Sequence, residues 1–303
     1  MTTLGDLGEH EAIRRLTALL GEHPDVATGP GDDCAVVRIP SASVDQVITT
    51  DPLVEGIHFL SNEIPERIGN KAAGRVLSDL AAMGARPMWL LVNIVAPSDQ
   101  DAVYLERIYA GMNALCSRFG AAIIGGDLAQ GPQLELHVFG IGQLPVGTAL
   151  LRSGARPGDR VFVTGPLGGS LSGRHLDFVP RVEEGLFLRE SGLVHALIDL
   201  SDGMATDLRH VLDQSGVGAV LEVDSIPKTG TLDGALYDGE DFELLGTVSS
   251  DNAEELCVQW EKRFGLSLAL IGTVTDEPAV MKLRHPDGQE ELLTSGAYEH
   301  YRR

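Results

Sequence analysis

Basic residues are scarce in this chain: 23 Lys and Arg stand against 44 Asp and Glu in 303 residues, a formal charge of −21 at pH 7. A field of that sign repels a nucleic-acid backbone and an anionic membrane surface, so neither is an expected partner. Phosphate chemistry stays open only if cations are recruited first, which turns attention to metals. Aromatics make up 5% of the residues and cysteines number three. Cys34, Cys116 and Cys257 lie far apart, with no CxxC and no Cys/His pair at zinc spacing. A disulfide framework and a zinc site are thereby disfavoured, and a reducing cytoplasm fits best. The longest apolar run, Met88 to Ala96, includes Asn93 and is too short to span a membrane. The opening MTTLGDLGEHEAIRRL carries acids where a secretory signal needs a basic start and an apolar core. Nucleotide-binding glycine patterns are missing too. No GxxxxGK[ST] occurs, and neither Gly29-Pro-Gly31 nor Gly140-Ile-Gly142 has the third glycine of a dinucleotide fingerprint. His10-Glu11 lacks the second histidine of HExxH, and the protein-kinase set is absent.

What is present is an ordinary globular composition, 43% hydrophobic and 22% charged, at a length that suggests two domains. Apolar periodicity predicts helices over 9–20, 66–83, 100–119, 182–190, 204–214 and 252–264. Strands are expected over 34–39, 46–50, 89–95, 121–124, 134–144, 160–164, 195–200, 217–223, 242–248 and 268–273. The polar, turn-rich stretch over 152–159 marks a change of unit. The division is set as an N-terminal α/β domain of residues 1–148 and a C-terminal α+β domain of residues 149–303.

A series of aspartates, Asp32-Asp33, Asp51, Asp79, Asp127, Asp199 and Asp202, stands where expected strands and helices meet loops, and strand ends are where α/β sites assemble. Each alone has a plain reading: a turn at Asp32-Asp33, a helix cap at Asp202, an i,i+4 partner for Arg75 at Asp79. Brought together they need compensation, because two carboxylates about 4 Å apart repel by roughly 4 kcal/mol at an effective dielectric near 20. Lys71, Arg75 and Arg152 are the only cations in or beside these segments, so Mg²⁺, which takes oxygen ligands, is the natural counter-charge. Thr49 and Thr50 add oxygens beside Asp51, although Thr-Thr is equally ordinary strand sequence. Gly125-Gly126-Asp127 offers either close backbone approach for a phosphate or a plain tight turn. Ser201 leads into a helix start, where it either donates to a phosphate or caps the helix. His58 is placed to reach a substrate, whereas His137 and His195 in apolar strands read as core residues.

The ordered set GDDCAVV (31–37), TTDPLVEGIHF (49–59), LSDLAAMGARP (77–87), GGDLAQGP (125–132), RSGARPGD (152–159), IDLSDG (198–203) and GEDFELL (239–245) resembles thiamine-monophosphate kinase, of the aminoimidazole ribonucleotide synthetase-like superfamily. The resemblance implies transfer of the γ-phosphoryl group of ATP to thiamine phosphate with Mg²⁺. It also implies a homodimer whose N-terminal sheets pair, with the active site in the cleft between domains. Matched by motif, the magnesium positions are Asp33, Thr49, Thr50, Asp51, Asp79, Asp127, Asp199 and Asp202, with Asp79, Asp51 and Asp202 closest to the chemistry. Gly126, Asp127, Arg152 and Ser201 correspond to ATP contacts; His58, Glu240 and Tyr298 correspond to contacts of thiamine phosphate. The chain departs from the family pattern at Pro52 (usually Thr), Val76 (usually Asn), Leu128 and Gln130 (commonly Thr and Arg), and its second half is short. These departures keep two alternatives in view: an enzyme of the same superfamily with another acceptor, and a homologue that binds nucleotide or metal without turnover.

Overall fold

The computed structural model describes residues 3–21 and 23–294. The chain opens with α1 (Leu4–Leu7) and α2 (Glu9–Thr17), then β1 (Val26–Thr28), β2 (Ala35–Arg38), β3 (Val44–Val54), α3 (Pro65–Ala82), β4 (Arg86–Ala96), α4 (Ala102–Arg118), β5 (Ala122–Gln130) and β6 (Glu135–Pro145). The second half holds β7 (Arg160–Val163), α5 (Arg174–Asp177), α6 (Val182–Ser191), β8 (Val194–Asp199), α7 (Met204–Ser215), β9 (Gly218–Glu222), α8 (Leu232–Tyr237), β10 (Leu244–Val248), α9 (Ser250–Phe264), β11 (Ala269–Thr275), β12 (Met281–Arg284) and β13 (Glu290–Leu292). Two mixed sheets result, ordered β1-β2-β3-β6-β4-β5 and β13-β12-β9-β11-β7-β10-β8. Each contains one parallel pair, β4 with β5 and β9 with β12, and is otherwise antiparallel. Both halves combine helices with a mixed, mainly antiparallel sheet.

Alternation along β3 sorts its residues by face. Val47 and Leu53 are buried and share a face with the half-buried Thr49 and Asp51, while Ile48, Thr50 and Pro52 point to the other side. The buried face carries α3, which is buried almost all round, as a helix packed on both sides must be. Its first side lies on β3 and β6; its second meets α5, α6 and β8. Such a helix delivers side chains from Lys71 to Asp79 to the seam between the halves. Val76 faces the sheet: a Cβ built on Gly140 of β6 would fall 2.1 Å from its Cγ1.

Some expectations are corrected. The helix expected over 9–20 is shorter: α2 stops at Thr17, and Leu19 beyond it is 82% exposed. Gly125-Gly126-Asp127 is neither a strand end nor a turn, because β5 runs on to Gln130, paired in parallel with β4. Gly126 answers a close approach there: its Cβ would sit 1.8 Å from the Val92 carbonyl oxygen. Neither Ser201 nor Asp202 caps α7, whose N-cap is Gly203. The short elements α5, α8, β12 and β13 had no periodicity long enough to read.

Gly140→Ala is expected to cost about 1–3 kcal/mol, the usual penalty for overpacking. The midpoint of urea unfolding measures it, and an unmoved midpoint would contradict the close seating of α3 on β6.

Candidate functional site

Three carboxylates from distant segments converge at the seam. Asp33 follows the turn before β2, Asp79 lies on α3 and Asp199 ends β8; each offers an oxygen within 4.8 Å of the others. Thr49 donates its hydroxyl to Asp79 at 2.6 Å, Ser78 donates to Asp199 at 2.6 Å, and the Arg152 guanidinium donates to Asp33 at 2.6 Å. The second Asp33 oxygen, Oδ2, is buried with no hydrogen-bond partner. A buried carboxylate oxygen left unpaired is costly. A carboxylate with an orphan oxygen, grouped with two more carboxylates, has the donor chemistry of a hard divalent cation site.

Without such an ion, protons do the balancing. Burial first, and then the Asp33 charge, push Asp199 up to about 7. Asp79 is raised well above the carboxylate range by burial and by Asp199, Asp51 and Asp33; Asp33 is raised by burial. Asp32, buried beside Asp33, rises to about 6, and Asp207, buried close to Asp202 and Asp199, rises strongly. Asp207 accepts the Asp202 N–H and so shapes the loop that presents Ser201 and Asp202.

A second cluster adjoins the first. Arg75 of α3 grips Asp51 through Nε at 2.5 Å and a terminal nitrogen at 2.7 Å, and reaches Glu240 at 3.4 Å. Glu240 also takes Lys71 at 2.7 Å and His175 at 2.9 Å. Burial alone would raise Glu240, yet the His175 hydrogen bond and the Lys71 and Arg75 charges bring it down to about 2. Its backbone is left-handed, φ 53°, as is that of Phe242, φ 51°, a conformation costing non-glycine residues about 1–2 kcal/mol. The Glu240 N–H donates to the Ser201 carbonyl and the Phe242 N–H to the Leu200 carbonyl, so this strained turn is laced to the Ser201-Asp202 loop. Val54 N–H donates to Nδ1 of His58, which leaves the ring proton on Nε2. Burial, then Arg75 and Lys71, lower His58 to about 4, so the ring is neutral at physiological pH. A cavity of about 420 Å³ lies here, lined by His58, Arg75, Ser201, Asp202 and Glu240 among others.

The structure therefore gathers Asp33, Thr49, Asp51, Asp79, Arg152, Asp199, Ser201, Asp202, His58 and Glu240 at one seam. Thr50 turns its side chain to the opposite face of β3 from Thr49 and Asp51. Gly126 and Asp127 sit on edge strand β5 and line a separate groove with Glu106, Tyr109 and Leu128. Tyr298 lies outside the described residues. Asp79 does not pair with Arg75 along the helix, because Arg75 turns instead to Asp51 and Glu240. Arg75, Lys71, His175 and Asp207 are site residues that the sequence reading did not assign. Arg75 and Lys71 were visible as lone cations in an acidic chain, whereas nothing local marked His175.

Two departures lose their force in three dimensions. β2 stops pairing with β3 at Ile48, and Val54, two residues past Pro52, directs its N–H away from β6 towards His58. Pro52 has the same parity, so its missing N–H faces that open side and no ladder bond is lost. Val76 packs into the sheet and never faced the seam.

Two family models match the chain: AIR synthase related protein, N-terminal domain, over residues 31–144, and AIR synthase related protein, C-terminal domain, over residues 176–282. The thiamine-monophosphate kinase of Salmonella typhimurium is 37% identical, over 91% of this chain and 93% of that protein. The solved structure "AaThiL complexed with AMPPCP and TMP" superposes with a TM-score of 0.83 at 28% identity, covering 99% of both chains. That of the thiamine-monophosphate kinase from Stenotrophomonas maltophilia K279a superposes with a TM-score of 0.74 at 33% identity, over 92% of this chain and 95% of the other.

Carboxyls raised in the folded state stabilise it below their ordinary range, and that stability drains away as pH rises through the folded value. His58 and His210, both lowered to about 4 chiefly by burial, act with the opposite sign below about 6.5. Lys71, which burial lowers to about 8 against the pull of Glu240, acts above that. Between pH 6.5 and 8 the aspartates dominate, so in chelator the melting temperature should fall across this window. Added Mg²⁺ should reverse the fall and release protons, seen as a buffer-dependent binding enthalpy. A flat profile in chelator would mean that the carboxylates do not converge.

Proposed function

This chain belongs to the thiamine-monophosphate kinase family of the AIR synthase related proteins, and from that premise we propose that it transfers the γ-phosphoryl group of ATP to thiamine phosphate, yielding thiamine diphosphate and ADP. The observation that carries this reading is the adjacency of two charge environments: a carboxylate triad with a buried orphan oxygen, and a cavity lined by Arg75, His58 and Glu240. An anionic donor is suited to the first through cations, and a phosphorylated cationic ring system to the second.

Asp33, Asp79 and Asp199, with Asp51 and Asp202 beside them, are the residues that would hold Mg²⁺. When bound, the ion supplies the positive charge that an acidic protein needs beside the phosphates of ATP. Thr49 and Ser78 fix two of the carboxylates by hydrogen bonds, so the cluster is set before substrates arrive. Arg152 ties Asp33 to the segment entering the second half, and Ser201, on the cavity wall, would donate to a phosphate. An oxygen of the acceptor phosphate attacks the γ-phosphorus as the bond to the ADP oxygen breaks. That oxygen is already ionised, so positioning matters more than a general base. Neutral His58 lines the same cavity, and Glu240, ionised throughout, faces a cationic ring.

The same reading includes a homodimer, supported by the half-exposed face of the first sheet, where Leu91, Phe139 and Ile141 alternate with the residues buried under α3. It includes the groove at Gly126 and Asp127 as part of the nucleotide region. It keeps the division at residues 148/149, between β6 and β7. It also includes a cytoplasmic location, consistent with three unpaired thiols; no helix of the described residues is long and apolar enough to cross a membrane.

³¹P NMR of the protein with MgATP and thiamine phosphate should show thiamine diphosphate and ADP in equal amounts, both abolished by chelator. ATP that stays intact, or ADP without the diphosphate, would refute the reading. Asp79→Asn is expected to lose roughly 100-fold or more in turnover, the scale for removing one preorganised electrostatic group. Its melting temperature in chelator should hold or rise, because one repelling charge is gone; wild-type turnover would remove Asp79 from the site.

A further inference from the structure

An anion entering the cavity beside the carboxylate cluster meets Asp202 and Glu240 on its walls, so it needs a cation there. Among the described residues lining the cavity, Arg75 is the only Lys or Arg. Lys71 does not serve. It is fully buried, donates to the His58 carbonyl at 2.8 Å and to Glu240 at 2.7 Å, and has His175 Nδ1 against it at 2.8 Å. Arg152 is spent on Asp33, at the other side of the triad.

Arg75 has donors to give. A guanidinium carries five N–H groups in a rigid fork. Two are used on Asp51, and a third makes only a long contact of 3.4 Å with Glu240. Two further N–H groups remain on the terminal nitrogens, on a side chain fixed from both walls of the seam. Planar paired donors match phosphate oxygens better than a point charge does.

We propose that Arg75 binds the phosphate group of the acceptor, held in register by Asp51 on one wall and Glu240 on the other. The inference rests on the reading of the acceptor as thiamine phosphate. It places the acceptor phosphate next to a carboxylate of the metal cluster, where an attacking oxygen is wanted, and leaves Glu240 for the ring system.

Calorimetric binding of thiamine phosphate and of thiamine, to the intact chain with Mg²⁺ and a non-hydrolysable ATP analogue, separates the outcomes. Wild-type protein is expected to prefer thiamine phosphate at least tenfold. Arg75→Met should lose that preference through weaker binding of thiamine phosphate alone, with thiamine unchanged. An undiminished preference, or equal weakening of both ligands, would overturn the role. Because Arg75→Met leaves Asp51 without its partner, Arg75→Lys is the companion: it keeps the charge, loses the fork, and should show an intermediate preference. If Arg75→Met fails to fold, an Arg75→Lys preference equal to wild type would overturn the role. A wild type with no preference for the phosphorylated ligand would instead refute the acceptor assignment, and this inference with it.

Discussion

Burying like charges together is the constraint on which the rest depends. Asp33, Asp79 and Asp199 share a space less than 5 Å across with one oxygen unpaired, inside a chain whose net stability is of the order of 5–15 kcal/mol. Such a cluster survives only if something else holds the backbone in place and something positive, proton or metal, holds the charges. The first need is met by α3, packed between the two halves and lacking any solvent face of consequence. The second is met unevenly: Arg152 pairs with Asp33, hydroxyls of Thr49 and Ser78 serve Asp79 and Asp199, and the remainder is left to protons or an added ion.

The two clusters are joined by strain as well as by charge. Glu240 and Phe242 adopt left-handed backbone so that the turn before β10 can hydrogen-bond to the Ser201-Asp202 loop and still aim the Glu240 carboxylate at Lys71, His175 and Arg75. The stack of Phe242 on Phe178, with ring centroids 4.0 Å apart, fixes the same turn from beneath. Favourable ion pairs and an aromatic contact offset an unfavourable backbone, and the result is a carboxylate that cannot drift.

Much of this was legible in the sequence, and what was not had physical reasons. Long periodic helices such as α3 and the strands that end in motif aspartates could be read, because periodicity and turn chemistry are local. The convergence of Asp33, Asp79 and Asp199 could be anticipated as a charge problem in want of a cation and through the motif resemblance, not from any local pattern. Pairings across the seam were out of reach: Arg75 sits four residues from Asp79 on the same helix, which invites a helical partner, yet it reaches Asp51 and Glu240. Gly126 looked like a turn because glycine pairs usually are, and only the approach of the Val92 carbonyl explains a strand there. Pro52 and Val76 looked like losses because a residue's facing cannot be read from an isolated motif; parity along β3 shows that Pro52 costs no ladder bond, and the seating of α3 shows Val76 packed on the sheet.

The two clusters also answer to protons in separate ranges. In the triad, Asp199 sits near 7 and Asp79 well above its ordinary value, so acid competes with any metal for the same oxygens. In the adjoining cluster Glu240 stays ionised down to about 2, and the first group to change on the alkaline side is Lys71, near 8. Loss of the Lys71 charge removes one of the three cationic or donor partners that hold Glu240. Metal occupancy is therefore limited from the acid side and the placement of Glu240 from the alkaline side. An acidic protein that borrows its positive charge from ions, and keeps its own few cations buried, works in the narrow interval where both halves of the seam are assembled.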